Sequence, residues 1–272
     1  MSKLVSIFVC GVQKGGTTSL HAHFREHPAL SPPSRQEIHF FDEEALDWAV
    51  PDYTTLDSLF VTEDGDRLRF DITPIYIFWP PSIERIRAYN PSAKLIFLFR
   101  DPFERAWSQW CMAYARGDEK LPFPEAIRDG RSRLEGLPPL ARERRVYTYI
   151  ERGFYSEQVR RVLANFPREQ LLFLRSQDLL DDHVEVLNRI SSFLGVAPFP
   201  DTGPKRERTR PRVSFPSSPT EADKELVVSL LRNDVREFSA LTGLNVSDWQ
   251  TGGHSLKGLI SRSHLKGSCP TT

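Results

Sequence analysis

The chain has 272 residues, 39% of them apolar and 11% aromatic, which is enough to bury a sizeable core in one α/β domain. Its 36 Lys and Arg residues balance 36 Asp and Glu residues, which argues against wholesale binding to nucleic acid or to an anionic membrane. Three distant cysteines match neither a disulfide framework nor a zinc spacing. No apolar run approaches the roughly 20 residues that span a bilayer, and the N-terminus lacks a signal-peptide layout, so we expect a cytoplasmic protein.

Apolar runs with strand character alternate with helical patterns along the chain. The predicted strands cover residues 5–10, 68–72, 95–99 and 171–174. The predicted helices cover residues 17–26, 83–89, 103–114, 123–133, 156–165, 183–194 and 221–242. This alternation is typical of a buried parallel sheet, so we predict a three-layer α/β fold with helices on both faces. We place one domain at residues 1–250 and a loose tail, rich in Gly, Ser, Lys and Thr, at 251–272.

The segment from Gly11 to Thr18, GVQKGGTT, follows the first predicted strand and opens the first predicted helix. The ATP-binding pattern G-x-x-x-x-G-K-[ST] would place lysine at Thr17, whereas this chain carries it three residues earlier, at Lys14. Glycine N–H groups and two threonine hydroxyls at a helix N-terminus still form an anion cradle. The segment therefore predicts a site for a phosphate-like group that is not Mg-ATP.

A second anion site is predicted where the strand at 95–99 ends. Arg100 follows this strand directly, and a helix opened by Pro102 places Ser108 about two turns along. A guanidinium and a hydroxyl can hold a phosphate, so a nucleotide with phosphate-type groups at both ends of its ribose would satisfy both sites. We interpret Asp101 and Arg105, four residues apart, as a surface pair.

The motifs QKGGTTSL and FRDPFERAWSQW resemble the two cofactor motifs of sulfotransferases that use 3′-phosphoadenosine 5′-phosphosulfate (PAPS). ERGFYSEQ and FPREQLLFLRSQDL resemble the middle of the same family, and the likeness covers roughly residues 5–249. The resemblance implies that the 3′-phosphate binds Arg100 and Ser108, whereas the 5′-phosphosulfate binds Lys14, Gly15, Gly16, Thr17 and Thr18. It also implies a cofactor wall at Arg152 and Gly153.

Two further cofactor contacts follow from the same resemblance. A basic late loop of the family often closes over the cofactor phosphates, which makes Arg210 and Arg212 candidates here. The cytosolic branch commonly carries a tryptophan directly after its two threonines, where this chain has Ser19. We include Ser19 among the cofactor-binding residues, and the adenine-stacking partner stays open.

The segment QEIHFF, from Gln36 to Phe41, resembles the K-E-x-H-F-F segment of the heparan-sulfate branch, whose glutamate is the proposed general base. We therefore expect Glu37 to deprotonate the acceptor, although a solvated surface carboxylate is the alternative interpretation. His39 is either the alternative base or a structural residue, and we place it at the acceptor side together with Asp71. Asp71 could equally cap a turn at the end of its strand.

The predicted reaction is transfer of a sulfuryl group from PAPS to an acceptor hydroxyl without a metal, leaving 3′,5′-adenosine bisphosphate. Eleven acids against two arginines between Glu37 and Asp71 disfavour a polyanionic acceptor. They favour a small natural product of secondary metabolism, such as a cationic alkaloid. The alternatives are a carbohydrate or amine acceptor, a nucleotide kinase with a deviant loop, and a silent module that binds PAPS or its product. The sequence leaves the oligomeric state open.

Overall fold

A computed structural model describes residues 3–61, 65–205 and 213–252. The described residues divide into two compact units, the first of residues 3–99 and 160–205 and the second of residues 100–159 and 213–252. The predicted late-loop residues Arg210 and Arg212 lie outside the described residues. Within the described ranges, every helix is too short or too polar to span a bilayer.

The first unit contains a parallel sheet, which in the described residues has five strands. Their bounds are β1 (Val5–Gly11), β2 (Leu30–Ser31), β3 (Leu68–Ile72), β4 (Lys94–Phe99) and β5 (Leu171–Arg175). The strands lie in the order β2-β3-β1-β4-β5, and each neighbouring pair is parallel. The four predicted strands and the parallel sheet are confirmed, whereas β2 is too short to be announced by an apolar run.

The described helices are α1 (Thr17–Glu26), α2 (Thr54–Asp57), α3 (Ser82–Tyr89), α4 (Pro102–Arg116), α5 (Phe123–Ile127), α6 (Arg144–Tyr147), α7 (Tyr155–Asn165), α8 (Ser176–Asp181), α9 (His183–Leu194) and α10 (Glu221–Thr242). Short 3₁₀ helices occupy Asp129–Leu134, Glu151–Gly153, Arg168–Gln170 and Gln250–Gly252. The second half of the predicted helix at 123–133 is wrong, because the chain leaves helical geometry at Arg128 and the Asp129-Gly130 pair favours a turn.

Alternate residues of β1 face opposite sides of the sheet. Ile7 and Val9 join a core that contains residues of α1, α8 and α9, among them Leu20, Phe24, Leu179, Val186 and Ile190. Phe8 faces the other side, where its ring packs 5.5 Å from that of Phe41 and 6.5 Å from that of Tyr89 at the end of α3. Helices therefore cover both faces of the sheet, which confirms the predicted three-layer α/β fold.

The second unit is built around α4 and α10. On α4, the rings of Trp107 and Trp110 stack 4.9 Å apart, and both pack against Phe123. The described chain ends in a packed segment, because Thr251 is buried and its N–H donates to a carboxylate oxygen of Asp101 at 3.1 Å. The other residues of the predicted tail, from 253 onward, lie outside the described residues, and the domain boundary at residue 250 stays a prediction.

Candidate active site

The loop that carries Lys14 leaves the carboxyl end of β1 and is fixed by β4. The N–H of Val12 donates to the carbonyl of Leu98 at 2.9 Å, and the N–H of Gly15 donates to the carbonyl of Val12 at 2.8 Å. A Cβ on Gly15 would lie 2.4 Å from the carbonyl oxygen of Leu98, which is too close for any side chain. The sequence of this Lys14 loop, residues 11–16, therefore contains glycine where the backbone must approach the sheet.

The same loop turns into α1 through two left-handed residues. Lys14 has φ 72° and Gly16 has φ 90°, and Gly16 is the N-cap of α1. No side chain caps this helix end in the part of the chain that the structure describes. The first turn of α1 begins with Thr17 and Thr18 at the positive end of the helix dipole. Backbone N–H groups, an ammonium and two hydroxyls thus come from one short segment, which suits a single anion.

The second predicted anion site lies at the start of α4, in the second unit. Arg100 is 6% exposed, and its Nε donates to Oε2 of Glu104 at 3.2 Å. Ser108 stands four residues after Glu104, so both belong to one face of α4. The Oγ atom of Ser108 is buried without a hydrogen-bond partner among the described residues. A buried hydroxyl without a partner is costly, and a phosphate oxygen is an acceptor that would satisfy it.

Arg152 and Gly153 lie in a 3₁₀ helix that packs on the start of α4. A Cβ on Gly153 would be 3.1 Å from Cβ of Pro102 and 2.8 Å from Cδ1 of Leu231, so glycine permits this close packing. Arg152 is buried, and its Nε donates to Oγ1 of Thr148 at 2.9 Å. Both predicted wall residues are therefore buried and closely packed within the second unit.

The predicted surface pair of Asp101 and Arg105 is wrong. Asp101 is the N-cap of α4, where its side chain accepts from the N–H groups of Phe103 and Glu104. Arg105 is fully buried and donates to Oε1 of Gln109 at 2.7 Å. The side of α4 that carries Arg105 faces the interior of the unit, and the amide of Gln109 replaces the expected carboxylate partner.

Glu37, the predicted base, lies in the segment between β2 and α2, and we define residues 36–42 as the Glu37 loop. Glu37 and His39 both adopt left-handed backbone, with φ 55° and 56°. The imidazole of His39 bridges two carboxylates: Nδ1 is 3.0 Å from Oδ2 of Asp42, and Nε2 is 3.5 Å from Oε2 of Glu37. The loop thus combines a buried aspartate, a histidine and a half-buried glutamate.

The charge state of His39 follows from these two carboxylates. Burial lowers the pKa of His39, but the hydrogen bonds with Asp42 and Glu37 outweigh burial and raise the pKa to about 9. His39 is therefore an imidazolium at neutral pH and cannot accept a further proton there. This charge state disfavours His39 as the base, and the assignment of Glu37 stays a prediction.

Asp71 is fully buried near the end of β3. One carboxylate oxygen accepts from Oγ1 of Thr73 at 2.7 Å, and the other accepts from the hydroxyl of Tyr76 at 2.8 Å. Burial raises the pKa of Asp71 to about 6, although these hydrogen bonds oppose the rise. Both oxygens are engaged inside the protein, which argues against the predicted contact between Asp71 and an acceptor.

The Lys14 loop and the Glu37 loop leave neighbouring parts of the same sheet edge. The N–H of His39 donates to Oγ1 of Thr73 at 3.4 Å, and the N–H of Thr73 donates to the carbonyl of Val9 in β1 at 3.2 Å. β1 and β3 are adjacent parallel strands, and both loops lie at their carboxyl ends. In open α/β sheets, ligands bind at this edge.

Sequence reasoning missed four polar residues of this edge. Asp42 lies three residues after His39, but it stands in a run of acids, so the sequence does not single it out. Thr73 and Tyr76 belong to FDITPIYIF, in which only Asp71 stood out. Ser176 begins α8, and its Oγ lies 3.7 Å from the position that a Cβ on Gly16 would take. No local sequence pattern indicates that Ser176 lies near Gly16. Ser176 follows β5, which is far from Gly16 in the chain.

A parallel sheet whose first strand leads through a loop with lysine and glycines into the N-terminus of a helix defines an α/β protein of the phosphate-loop type. Residues 5–209 match the model of the sulfotransferase domain family, and the chain belongs to that family. The predicted family, that of the sulfotransferases, is thereby confirmed.

Proteins with similar sequences and structures include several sulfotransferases. Human heparan sulfate glucosamine 3-O-sulfotransferase 3B1 is 29% identical over 197 residues, which are 71% of this chain and 47% of that protein. Human bifunctional heparan sulfate N-deacetylase/N-sulfotransferase 3 is 29% identical over 213 residues, 72% of this chain and 23% of that protein. The chain thus spans less than half the length of these relatives. A sulfotransferase crystal structure from Alicyclobacillus acidocaldarius superposes with a TM-score of 0.72 and 25% identity, over 91% of this chain and 99% of that one.

Proposed function

We propose that the protein transfers a sulfuryl group from PAPS to an acceptor hydroxyl and releases 3′,5′-adenosine bisphosphate. The observation that carries the proposal is the buried Ser108 hydroxyl, which has no partner among the described residues. Ser108 lies on the same face of α4 as Glu104, which pairs with Arg100. Such a site suits a second phosphate, and the Lys14 loop suits the first. PAPS has phosphate-type groups at both ends of its ribose.

The residues fit each end of this cofactor. The ammonium of Lys14, the backbone N–H groups of 16–18 and the two threonine hydroxyls would hold the 5′-phosphosulfate, with Ser19 following on the first turn of α1. Gly15, whose N–H donates to the carbonyl of Val12, would serve by letting the loop approach β4. Arg100 and Ser108 would hold the 3′-phosphate, with Arg152 and Gly153 in the wall of the same unit. When bound, PAPS supplies an activated sulfuryl group. This group carries less charge than a phosphoryl group, so Lys14 and oriented N–H groups can stabilise its transfer without a metal.

Glu37 is the general base of this proposal. Its carboxylate would take the proton of the acceptor hydroxyl, while the imidazolium of His39 holds one carboxylate oxygen and Asp42 holds the imidazole. The side chain of His39 is 44% exposed, so its outer edge can also contact the acceptor, as the sequence predicts. A positioned general base typically contributes about 10²- to 10⁴-fold to the rate.

The charges near this base favour a small neutral or cationic acceptor. Glu43, Asp47 and Asp52 are exposed acids that follow the Glu37 loop, and each accepts a hydrogen bond from a nearby backbone N–H. Ile72 stands where heparan-type enzymes typically carry a lysine, and its side chain is buried in the core. A polyanionic chain would be repelled here. We therefore propose the hydroxyl of a small natural product, such as a cationic alkaloid.

A carbohydrate hydroxyl is the second candidate. It is favoured by the relative named heparan sulfate glucosamine 3-O-sulfotransferase 3B1, whose name specifies a sugar hydroxyl. The exposed acids limit which carbohydrates could serve as acceptor. They tolerate an uncharged or cationic sugar but repel a polysulfated one.

Calorimetry and an acceptor panel test the proposal. We expect 3′,5′-adenosine bisphosphate to bind more tightly than ADP without magnesium, because only the former engages Ser108 and Arg100. Equal affinities would contradict the cofactor assignment. With labelled PAPS, we expect label on small alcohols or amino-alcohols. Turnover on anionic glycans alone would overturn the acceptor class, and tight binding without turnover on any acceptor would favour a silent binding module.

A further inference from the structure

We infer that Asp71, Thr73 and Tyr76 form a brace that positions the Glu37 loop for catalysis. The three side chains contact one another inside the first unit, and they reach the loop through its backbone rather than through Glu37 itself. They are therefore positioning residues. The kinetic part of this inference rests on the proposed function, because it takes Glu37 as the base.

The first arm of the brace is Thr73. Its hydroxyl donates its one hydrogen to Oδ1 of Asp71 at 2.7 Å, so its lone pairs are turned toward the loop. There it accepts from the N–H of His39 at 3.4 Å. The backbone N–H of Thr73 is itself fixed to β1, where it donates to the carbonyl of Val9 at 3.2 Å.

The second arm is Tyr76. Its hydroxyl donates to Oδ2 of Asp71 at 2.8 Å and accepts from the N–H of Phe40 at 3.1 Å and, at longer range, from that of Phe41 at 3.5 Å. Asp71 thus orients two hydroxyls, and these hydroxyls bind three consecutive N–H groups of the loop. Among the residues that the structure describes, no regular strand provides partners for these N–H groups.

The loop requires such a brace because its backbone is strained. Glu37 and His39 occupy left-handed φ values that non-glycine residues rarely adopt. Such residues persist only where the surrounding structure over-determines them, and they concentrate at functional sites. The braced N–H groups begin at His39, which also holds the Glu37 carboxylate through its ring. Loss of either arm should therefore let the carboxylate move.

A neighbouring tyrosine supplies a matched control. Tyr89 packs on the same Phe41 ring at 5.4 Å, close to the 5.8 Å of Tyr76, and its hydroxyl also accepts from a backbone N–H, that of Val5 at 2.9 Å. Val5 begins β1, far from the Glu37 loop in the chain. Tyr89→Phe therefore keeps the ring that packs on Phe41 and removes only a buried hydrogen bond whose partner, Val5, lies outside the loop.

Amide hydrogen exchange tests the brace without any acceptor. We expect faster exchange in a peptide covering residues 38–42 for Tyr76→Phe and for Thr73→Val, and wild-type exchange for Tyr89→Phe and for Thr73→Ser, which keeps the hydroxyl. Wild-type exchange in both Tyr76→Phe and Thr73→Val would overturn the brace. If one of these variants fails to fold, the other still decides the question.

Enzyme kinetics then test whether the brace positions the Glu37 loop for catalysis. We expect kcat to fall roughly 10- to 100-fold in Tyr76→Phe and Thr73→Val, because displacements of about 1 Å have effects of this size, while affinity for 3′,5′-adenosine bisphosphate stays unchanged. Thr73→Ser should restore kcat. Unchanged kcat despite faster exchange, or an equal fall in Tyr89→Phe, would overturn the positioning role. If the wild type transfers nothing, the proposed function fails, and the exchange comparison still decides the brace.

Discussion

The Lys14 loop and the Glu37 loop are held in place by different kinds of interaction. Both leave the carboxyl edge of one sheet, and both hold non-glycine residues in left-handed backbone. The Lys14 loop is held by main-chain hydrogen bonds and by a glycine pressed against Leu98. The Glu37 loop is held by the side chains of Asp71, Thr73 and Tyr76. The proposed anion site is thus held by the backbone, whereas the proposed base is positioned by a buried polar network.

This difference separates what each loop does in the proposed reaction. Because β4 fixes the Lys14 loop, the N–H groups at the start of α1 need no reorganisation when charge develops on an anion, which is the condition for electrostatic stabilisation. A carboxylate that must meet a hydroxyl at hydrogen-bond distance needs precise orientation instead. Substitutions in the first loop should therefore reduce charge stabilisation, and substitutions in the second should reduce proton removal.

The largest expected effect is at the base. Glu37→Gln keeps the size of the side chain but removes its ability to take a proton, so we expect kcat to fall about 10²- to 10⁴-fold. Binding of 3′,5′-adenosine bisphosphate, measured by calorimetry, should not change. Glu43→Gln removes an exposed acid of the same segment and should leave kcat near the wild-type value. Similar kcat values for the two variants would break the distinction between the loops.

Lys14→Ala tests the other loop. We expect turnover to fall about 10²- to 10³-fold, the usual cost of one preorganised charge-stabilising donor, and much more than cofactor affinity falls. Lys205→Ala is a suitable control, because Lys205 pairs with Glu26 at 2.8 Å at the other end of α1. Turnover of Lys14→Ala equal to that of the parent would refute a catalytic role for this lysine.

Ser108→Ala sharpens the comparison by testing the second anion site. A hydrogen bond to a charged group contributes about 1.5–3 kcal/mol, so affinity for 3′,5′-adenosine bisphosphate should fall roughly 10- to 100-fold. Affinity for 5′-AMP, which lacks the 3′-phosphate, should not change. Because the hydroxyl of Ser108 is buried without a partner among the described residues, its loss should not lower the free energy of unfolding. Equal loss of affinity for both nucleotides would contradict the assignment.

The two loops also differ in how far the sequence could predict them. The Lys14 loop can be predicted from the sequence, because glycines, a lysine and threonines follow an apolar strand within eight residues, Gly11 to Thr18. Only the resemblance indicates the Glu37 loop, because its partners Thr73 and Tyr76 lie in the segment after β3, more than thirty residues further along the chain. The pairing of His39 with Asp42 was within reach of the sequence, but no local rule separates this aspartate from the acids beside it.

The fold was predictable for the same physical reason as the first loop. Apolar strands and periodic helices such as α1, α9 and α10 carry their own signal, and these three have the predicted bounds. Elements of six residues or fewer, such as α2, α6 and α8, are too short for periodicity to reveal them. Arg105 shows the other limit, because a charged residue at a surface-like spacing is buried when its helix packs into the interior.

The smallest expected effect is on stability, and it concerns His39. Its pKa is raised from 6.5 to about 9 in the folded protein, so the stabilisation is fully present below pH 6.5 and is lost as pH rises through about 9. Because the side chain is 44% exposed, solvent screening reduces the effect to about 1 kcal/mol. Urea unfolding at pH 6 and pH 9 should show this loss in the wild type, and His39→Gln should remove it.

The same titration decides which side chain is the base. If His39 acts as a cation that holds Glu37, the rate should fall as pH rises through about 9, because the imidazolium that orients the carboxylate is lost. If His39 were the base, the rate would rise over that range, since only its neutral form accepts a proton. His39→Gln serves as the control, because it should remove the pH dependence in this range in either case. A rising limb in the wild type would move the base from Glu37 to His39, and the Glu37 loop would then position an imidazole rather than a carboxylate.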